Sequence, residues 1–224
     1  MTFRQGSEKE ERKMVRDVVE KVLFYRDGPR TFFKPEEFPW VASIEAEWIA
    51  IRRELDAVMV RRQEIPNFQD VSKNQKAIAK NDDWKTFMFY SFGFGNENKE
   101  NCERCPDTFR LLHLIPGMTM AFFSILAPHK RIPPHRGPYK GVLRYHLGLK
   151  VPGPEGSCRI RVGNDVGYWK EGKSLIFDDS NEHEVWNDSD SDRVVLFVDF
   201  VRPTIFPLSI VNRSIIWARG RYAF

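Results

Sequence analysis

Apolar residues recur at two different periods along this chain, and the change of period divides it. Between residues 7 and 25, Met14, Val15, Val18, Val19, Val22 and Leu23 fall at helical spacing, behind a Ser7/Glu10 capping box. The pattern predicts an amphipathic helix with that apolar stripe buried. Residues 29–42 contain three prolines and read as a connection. A second helix is expected from Ser43, burying Ile44, Trp48, Ile51, Leu55, Val58 and Met59. The segment 66–82 is polar and turn-rich. Beyond it, short aromatic and β-branched runs are punctuated by Gly, Pro, Asn and Asp. Strands are expected at 84–93, 118–126, 142–149, 158–162, 174–178, 182–186 and 193–201.

Helices followed by many short strands define an α+β chain, mainly β, whose body is a β-sandwich or jelly roll. The 224 residues suit a single domain, mainly helical over 1–65 with its β core over 84–203. Charge changes this picture little. The 35 basic and 31 acidic side chains leave +4, without the dense Lys/Arg block of a nucleic-acid footprint. The charged N-terminus does not resemble a signal peptide, and no apolar run approaches the roughly 20 residues of a membrane helix. A cytoplasmic location is expected. Three cysteines make no disulfide framework, and Cys102 with Cys105 forms a lone C-x-x-C open to packing, redox or metal readings. The end segment LSIVNRSIIWARGRYAF is unusually apolar and packs either on the core or on a partner subunit. Oligomeric state stays open.

Alternation along the strands brings out candidate chemistry. In VLRYHLGL, Val142, Arg144, His146 and Gly148 share one face, and Leu143, Tyr145, Leu147 and Leu149 the other. If the first face lines a cavity, Arg144 and His146 become donors to an anion; otherwise they sit on a wetted outer face. In RVVLFVDFVR, Arg193 leads a strand buried on both sides, so its guanidinium needs a carboxylate. Asp192, Asp199 or a ligand diacid could supply it. His135 follows Pro133–Pro134, and His183 sits in a turn entering the next strand. Two such histidines suit Fe, Zn, Ni or Cu, although each alone reads as a surface-loop residue. His113 and His129 read as structural or exposed.

The segments FFSILAPHKRIPPHRGPYKGVLRYHLGLKVP, SLIFDDSNEHEVWN and DRVVLFVDFVRP, in this order, resemble the aspartyl/asparaginyl β-hydroxylase family of Fe(II)/2-oxoglutarate oxygenases, including bacterial members similar to lipid A hydroxylases. The likeness runs from about Trp84 to Pro203. It implies a double-stranded β-helix (jelly roll, cupin-like) with the N-terminal helices packed outside. It also implies that Fe(II), 2-oxoglutarate and O₂ are required, with His135 and His183 as the catalytic iron ligands. Arg193, assisted by Ser124, would hold the distal carboxylate of 2-oxoglutarate, Arg144 and His146 would meet its other end, and Trp84 would lie beside it. The outcome implied is hydroxylation of an unactivated C–H, in the main reading the β-carbon of an Asp or Asn residue or a related amino acid. A lipid A-type acyl chain is the alternative, so the partner is a peptide, amino acid or lipid substrate. Basic residues Lys130, Arg131, Arg136 and Lys140 around the metal loop would favour an acidic one. Position 137 is glycine, so the carboxylate many such sites place two residues after the first histidine is missing. A vacant position on the metal keeps a halogenase reading open. A non-catalytic metal- or anion-binding module is the competing class.

Overall fold

A computed structural model describes residues 2–71, 83–92 and 97–222. The expected turn-rich stretch beyond residue 71 and the end of the strand expected at 84–93 lie outside them. Helices α1 (Thr2–Asp27), α2 (Trp40–Ala46), α3 (Trp48–Met59) and α4 (Phe68–Val71) precede the sheets. Helices α5 (Lys99–Arg104) and α6 (Pro106–Leu112) interrupt them, and α7 (Leu208–Tyr222) follows. The strands are β1 (Phe32–Phe33), β2 (Trp84–Tyr90), β3 (Met118–Leu126), β4 (Lys130–His135), β5 (Val142–Lys150), β6 (Cys158–Val162), β7 (Asp165–Tyr168), β8 (Ser174–Phe177), β9 (His183–Asn187) and β10 (Arg193–Val201).

Strand pairing is nested. β6 pairs with β7, β5 with β8, β4 with β9 and β3 with β10, all antiparallel, as in one long hairpin folded over itself. The folded hairpin gives two facing sheets, ordered β1-β8-β5-β10-β3-β2 and β4-β9-β6-β7. This is the double-stranded β-helix. Alternation sorts the long strands as expected. Leu143, Tyr145, Leu147, Val194, Leu196 and Val198 turn outward and are buried against Ile44, Ile51 and Leu55 of α2 and α3. Phe122, Ile160, Val185, Val195 and Phe197 line the interior between the sheets. Each such side chain contributes roughly 1.5–3 kcal/mol of burial. The helices therefore pack on the outer face, and no wetted face carries Arg144 and His146.

Three elements depart from the sequence pattern. Strand β4 contains Pro133 and Pro134 yet forms, because it is the edge of its sheet and the two prolines fall where its register with β9 shifts, between Ile132 and His135. The expected second helix breaks at Glu47 (φ −107°, ψ 15°) into α2 and α3. Helix α1 begins at Thr2, so Ser7 lies inside it, and of its apolar stripe only Val19 and Leu23 are buried. Met14, Val15, Val18 and Val22 face outward. The reason is that α1 packs with α7 on a small satellite core of Tyr139, Val142, Val201 and Ile216, at the ends of β5 and β10 rather than against the broad outer face of the sheet.

Candidate active site

The two histidines singled out in the sequence are brought side by side. His135 ends β4, His183 opens β9, and the two are paired residues across the ladder. Their ring centroids lie 4.1 Å apart. In each ring Nδ1 is held by a backbone carbonyl two residues earlier, Pro133 O at 2.8 Å and Asn181 O at 3.0 Å. That bond fixes the tautomer, with the proton on Nδ1 and the lone pair on Nε2. Burial lowers the pKa of His135, and burial followed by the charges of Arg144 and His135 pushes that of His183 down to about 3. Both are neutral imidazoles at neutral pH, the form that binds a metal.

The loops carrying them are tied together by a buried charge cluster. Asp178, fully buried ahead of His183, meets Lys140 Nζ at 2.5 Å and Arg202 Nη2 at 2.5 Å. Lys140 belongs to the loop after His135, and Arg202 Nε donates to the Lys140 carbonyl at 2.7 Å. Removing the shared carboxylate strands two buried cations, which costs about 3–5 kcal/mol. Asp178→Ala is therefore expected to lower Tm by roughly 6–20 °C in calorimetry. A shift below about 2 °C would show that the cluster does not hold these loops.

Arg193 opens β10 inside the barrel with 1% exposure. Both protein carboxylates proposed for it are committed elsewhere, since Asp192 forks with Arg62 at 2.7 and 2.8 Å and Asp199 with Arg144 at 2.8 and 3.0 Å. Its guanidinium carbon lies 4.5 Å over the Trp169 ring, and burial pushes its pKa down to about 10. It remains a cation with no carboxylate among the described residues. Ser124 and Trp84 are buried beside it on neighbouring strands, with Trp84 Nε1 donating to Ser124 Oγ at 2.9 Å and the indole stacked on Phe68 at 3.8 Å. His146 also points inward, between Trp169 (5.7 Å) and Phe197 (4.9 Å), its pKa held well below the usual range by burial and then by Arg144 and Arg193.

Arg144 departs from its expected role. Its Nε and Nη2 are taken by Asp199, and Nη2 also lies 2.9 Å from Asp179, so it is ion-paired on both sides rather than open to a diacid. The basic ring proposed for an acidic substrate is likewise largely committed. Lys130 pairs with Asp83, Arg131 with Glu184 and Lys140 with Asp178, leaving Arg136 exposed.

Sequence reasoning missed Trp169 and Asp179. Trp169 lies in the turn after β7, where alternation gives no facing. Asp179 fills the space beside Gly137: a Cβ there would sit 2.0 Å from Asp179 Oδ2, so an acidic side chain at 137 has no room. Its own pKa is pushed up to about 7, burial outweighing Arg144. Cys102 and Cys105 are unbridged and buried, burial raising their thiols to about 11 and about 12, so they pack as protonated side chains. His113 and His129 are bonded to Phe109 O and Asp190 away from this site.

Around the barrel interior, His146 Nδ1 and Nε2, His183 Nε2, Arg193 Nε, Trp169 Nε1 and Asp179 Oδ1 are buried without a hydrogen-bond partner among the described residues. Each such atom costs about 1–3 kcal/mol unless something binds it. The donor set fits a metal and a diacid: two imidazole lone pairs at the mouth, a carboxylate-seeking fork deep inside, and an aromatic wall between. Among the described residues no third His, Cys, Asp or Glu joins the histidines, so a metal held here would take two protein ligands and leave its other positions to water or substrate atoms. Fold and site together define a jelly-roll protein with two adjacent neutral imidazoles and a buried arginine facing its barrel, a candidate metal and diacid site.

Comparison with known proteins places that class more narrowly. The aspartyl/asparaginyl beta-hydroxylase family model matches residues 45–203. The ornithine lipid ester-linked acyl 2-hydroxylase of Rhizobium tropici is 53% identical over 175 residues, 78% of this chain and 62% of that protein. The human aspartyl/asparaginyl beta-hydroxylase is 40% identical over 172 residues, 75% of this chain but 22% of the human protein. Among solved structures, a Pseudomonas putida prolyl-4-hydroxylase aligns over 73% of this chain and 100% of its own, at 15% identity and a TM-score of 0.45. The chain belongs to the aspartyl/asparaginyl beta-hydroxylase family, a family of Fe(II)/2-oxoglutarate hydroxylases.

Proposed function

We propose that the chain is an Fe(II)- and 2-oxoglutarate-dependent hydroxylase of a lipid acyl chain, acting at C-2 of an ester-linked acyl group on an ornithine-type lipid. The observation that carries the cosubstrate is Arg193, a buried fork whose candidate protein carboxylates are both taken. The substrate rests on the 53% identity to the rhizobial acyl 2-hydroxylase and on the scarcity of free cations at the mouth. A small cleft beside Asp179 and Asp199 is lined by Phe92, Pro138, Tyr139 and Val142. The three unbridged buried thiols fit the reducing cytoplasm.

His135 and His183 would hold the iron through Nε2, and Arg193, with the Ser124 hydroxyl beside it, would anchor the distal carboxylate of 2-oxoglutarate. Bound iron supplies oxygen activation coupled to decarboxylation of 2-oxoglutarate to succinate and CO₂. Trp169, Phe177 and Phe197 exclude water between the two ends, which strengthens every charge contact inside.

The test is an incubation with Fe(II), 2-oxoglutarate and O₂ in the presence of detergent-dispersed ornithine lipid, or of an Asp/Asn-containing peptide. Succinate release matched by one added oxygen on the ester-linked acyl chain is expected. Oxygen added to the peptide alone would return the Asp/Asn reading, and a chlorinated product in chloride would return the halogenase. No succinate in any arm would leave a binding module.

A further inference from the structure

Helix α1 and the C-terminal segment leave apolar side chains in water. Met14, Val18 and Val22 recur at i, i+4 and i+8 on α1 with 62, 55 and 45% exposure, and Ile205, Phe206 and Ile210 around the start of α7 with 77, 75 and 58%. Single exposed apolar residues are ordinary, but two helices that pack on each other and each leave several apolar side chains exposed mark an interaction surface. No acidic residue follows Asp199 in the sequence, whereas α7 carries Arg213, Arg219 and Arg221. Arg213 is exposed, and an apolar helix face edged by a cation is the composition that lies in a bilayer interface, where anionic headgroups pair with it. The surface is also continuous with the site. The buried sides of α1 and α7 pack on Tyr139 and Val142, four and seven residues past His135, and those two line the cleft beside Asp179 and Asp199.

We propose that this α1–α7 face docks the chain on a bilayer carrying anionic lipids, which brings the cleft beside Asp179 and Asp199 next to the membrane. The direction of substrate entry rests on the lipid reading above; the docking itself does not. Among the described residues no helix is long and apolar enough to cross a membrane, so the association is peripheral.

The test is cosedimentation of the full chain with vesicles of phosphatidylcholine alone or mixed with phosphatidylglycerol. Binding to the mixed vesicles is expected, weakened about fivefold by Arg213→Ala and more than about tenfold by Ile205→Glu/Ile210→Glu, with the melting curve unchanged. His135→Ala should bind as the unaltered chain does. Absence of vesicle binding, binding untouched by the double variant, or a dimer in light scattering that the double variant dissolves without any vesicle binding would each overturn the proposal. Because binding is read without turnover, a chain that binds vesicles yet oxidises no lipid refutes the substrate reading alone. One that oxidises dispersed lipid and ignores vesicles refutes the docking alone.

Discussion

Arg193→Ala is expected to raise the KM for 2-oxoglutarate by about thirtyfold to several thousandfold, the range that corresponds to losing one partner of a buried charge pair, about 2–5 kcal/mol. Iron binding should persist, because the His135–His183 pair is built on other strands. Arg193→Lys should recover only part of the loss, since an ammonium cannot make the planar, two-pronged contact. Stability separates this role from a structural one. An arginine in an internal ion pair would take several kcal/mol with it when replaced. Arg193 instead sits on Trp169 with both candidate carboxylates engaged by other arginines, so its desolvation is uncompensated. Arg193→Met, similar in length, should therefore hold or raise Tm in the absence of 2-oxoglutarate while abolishing its binding. A fall in Tm with an unchanged KM would remove the assignment.

His183→Ala should abolish succinate formation and weaken Fe(II) binding by more than about a hundredfold, the upper end of what loss of even an outer-shell partner costs. With only two protein ligands available, little coordination remains. Anaerobic calorimetry or bound-iron analysis measures the effect, and iron retained at the wild-type level would refute the ligand role. The depressed pKa adds a pH signature. Between about 6.5 and 3 the unfolded chain protonates this imidazole while the folded metal-free chain does not. Its contribution to stability is thus full above the unfolded value and declines as pH falls through that window. Iron affinity should stay nearly flat between pH 5 and 8, because the ring has no proton to lose there.

The chemistry was legible where a polar residue broke an otherwise apolar alternation. Arg193, His146 and Arg144 announced themselves because β5 and β10 are buried on both faces, so each charge demanded a partner. The partner itself was not legible. Arg144 finds Asp199 by cross-strand register and Asp179 by the path of a loop, and neither relation has a period in the sequence. Trp169 was missed for the same reason. Helical spacing showed that α1 is amphipathic but not that its apolar arc exceeds what the satellite core covers. Strand β4 was hidden by its prolines, although the same prolines set up His135.

Those prolines also restrict how anything can approach the metal. Pro133 and Pro134 remove two consecutive amide hydrogens just before His135, and because successive amides of a strand point to opposite edges, the free border of β4 loses one of them. An extended peptide that added itself there as a further strand would lose a hydrogen bond beside the metal histidine from the commonest backbone grip available to a sheet. A polypeptide reaching this iron would depend the more on recognition of its side chains, whereas a hydrocarbon tail, which offers no amides, gives up nothing by entering along that border.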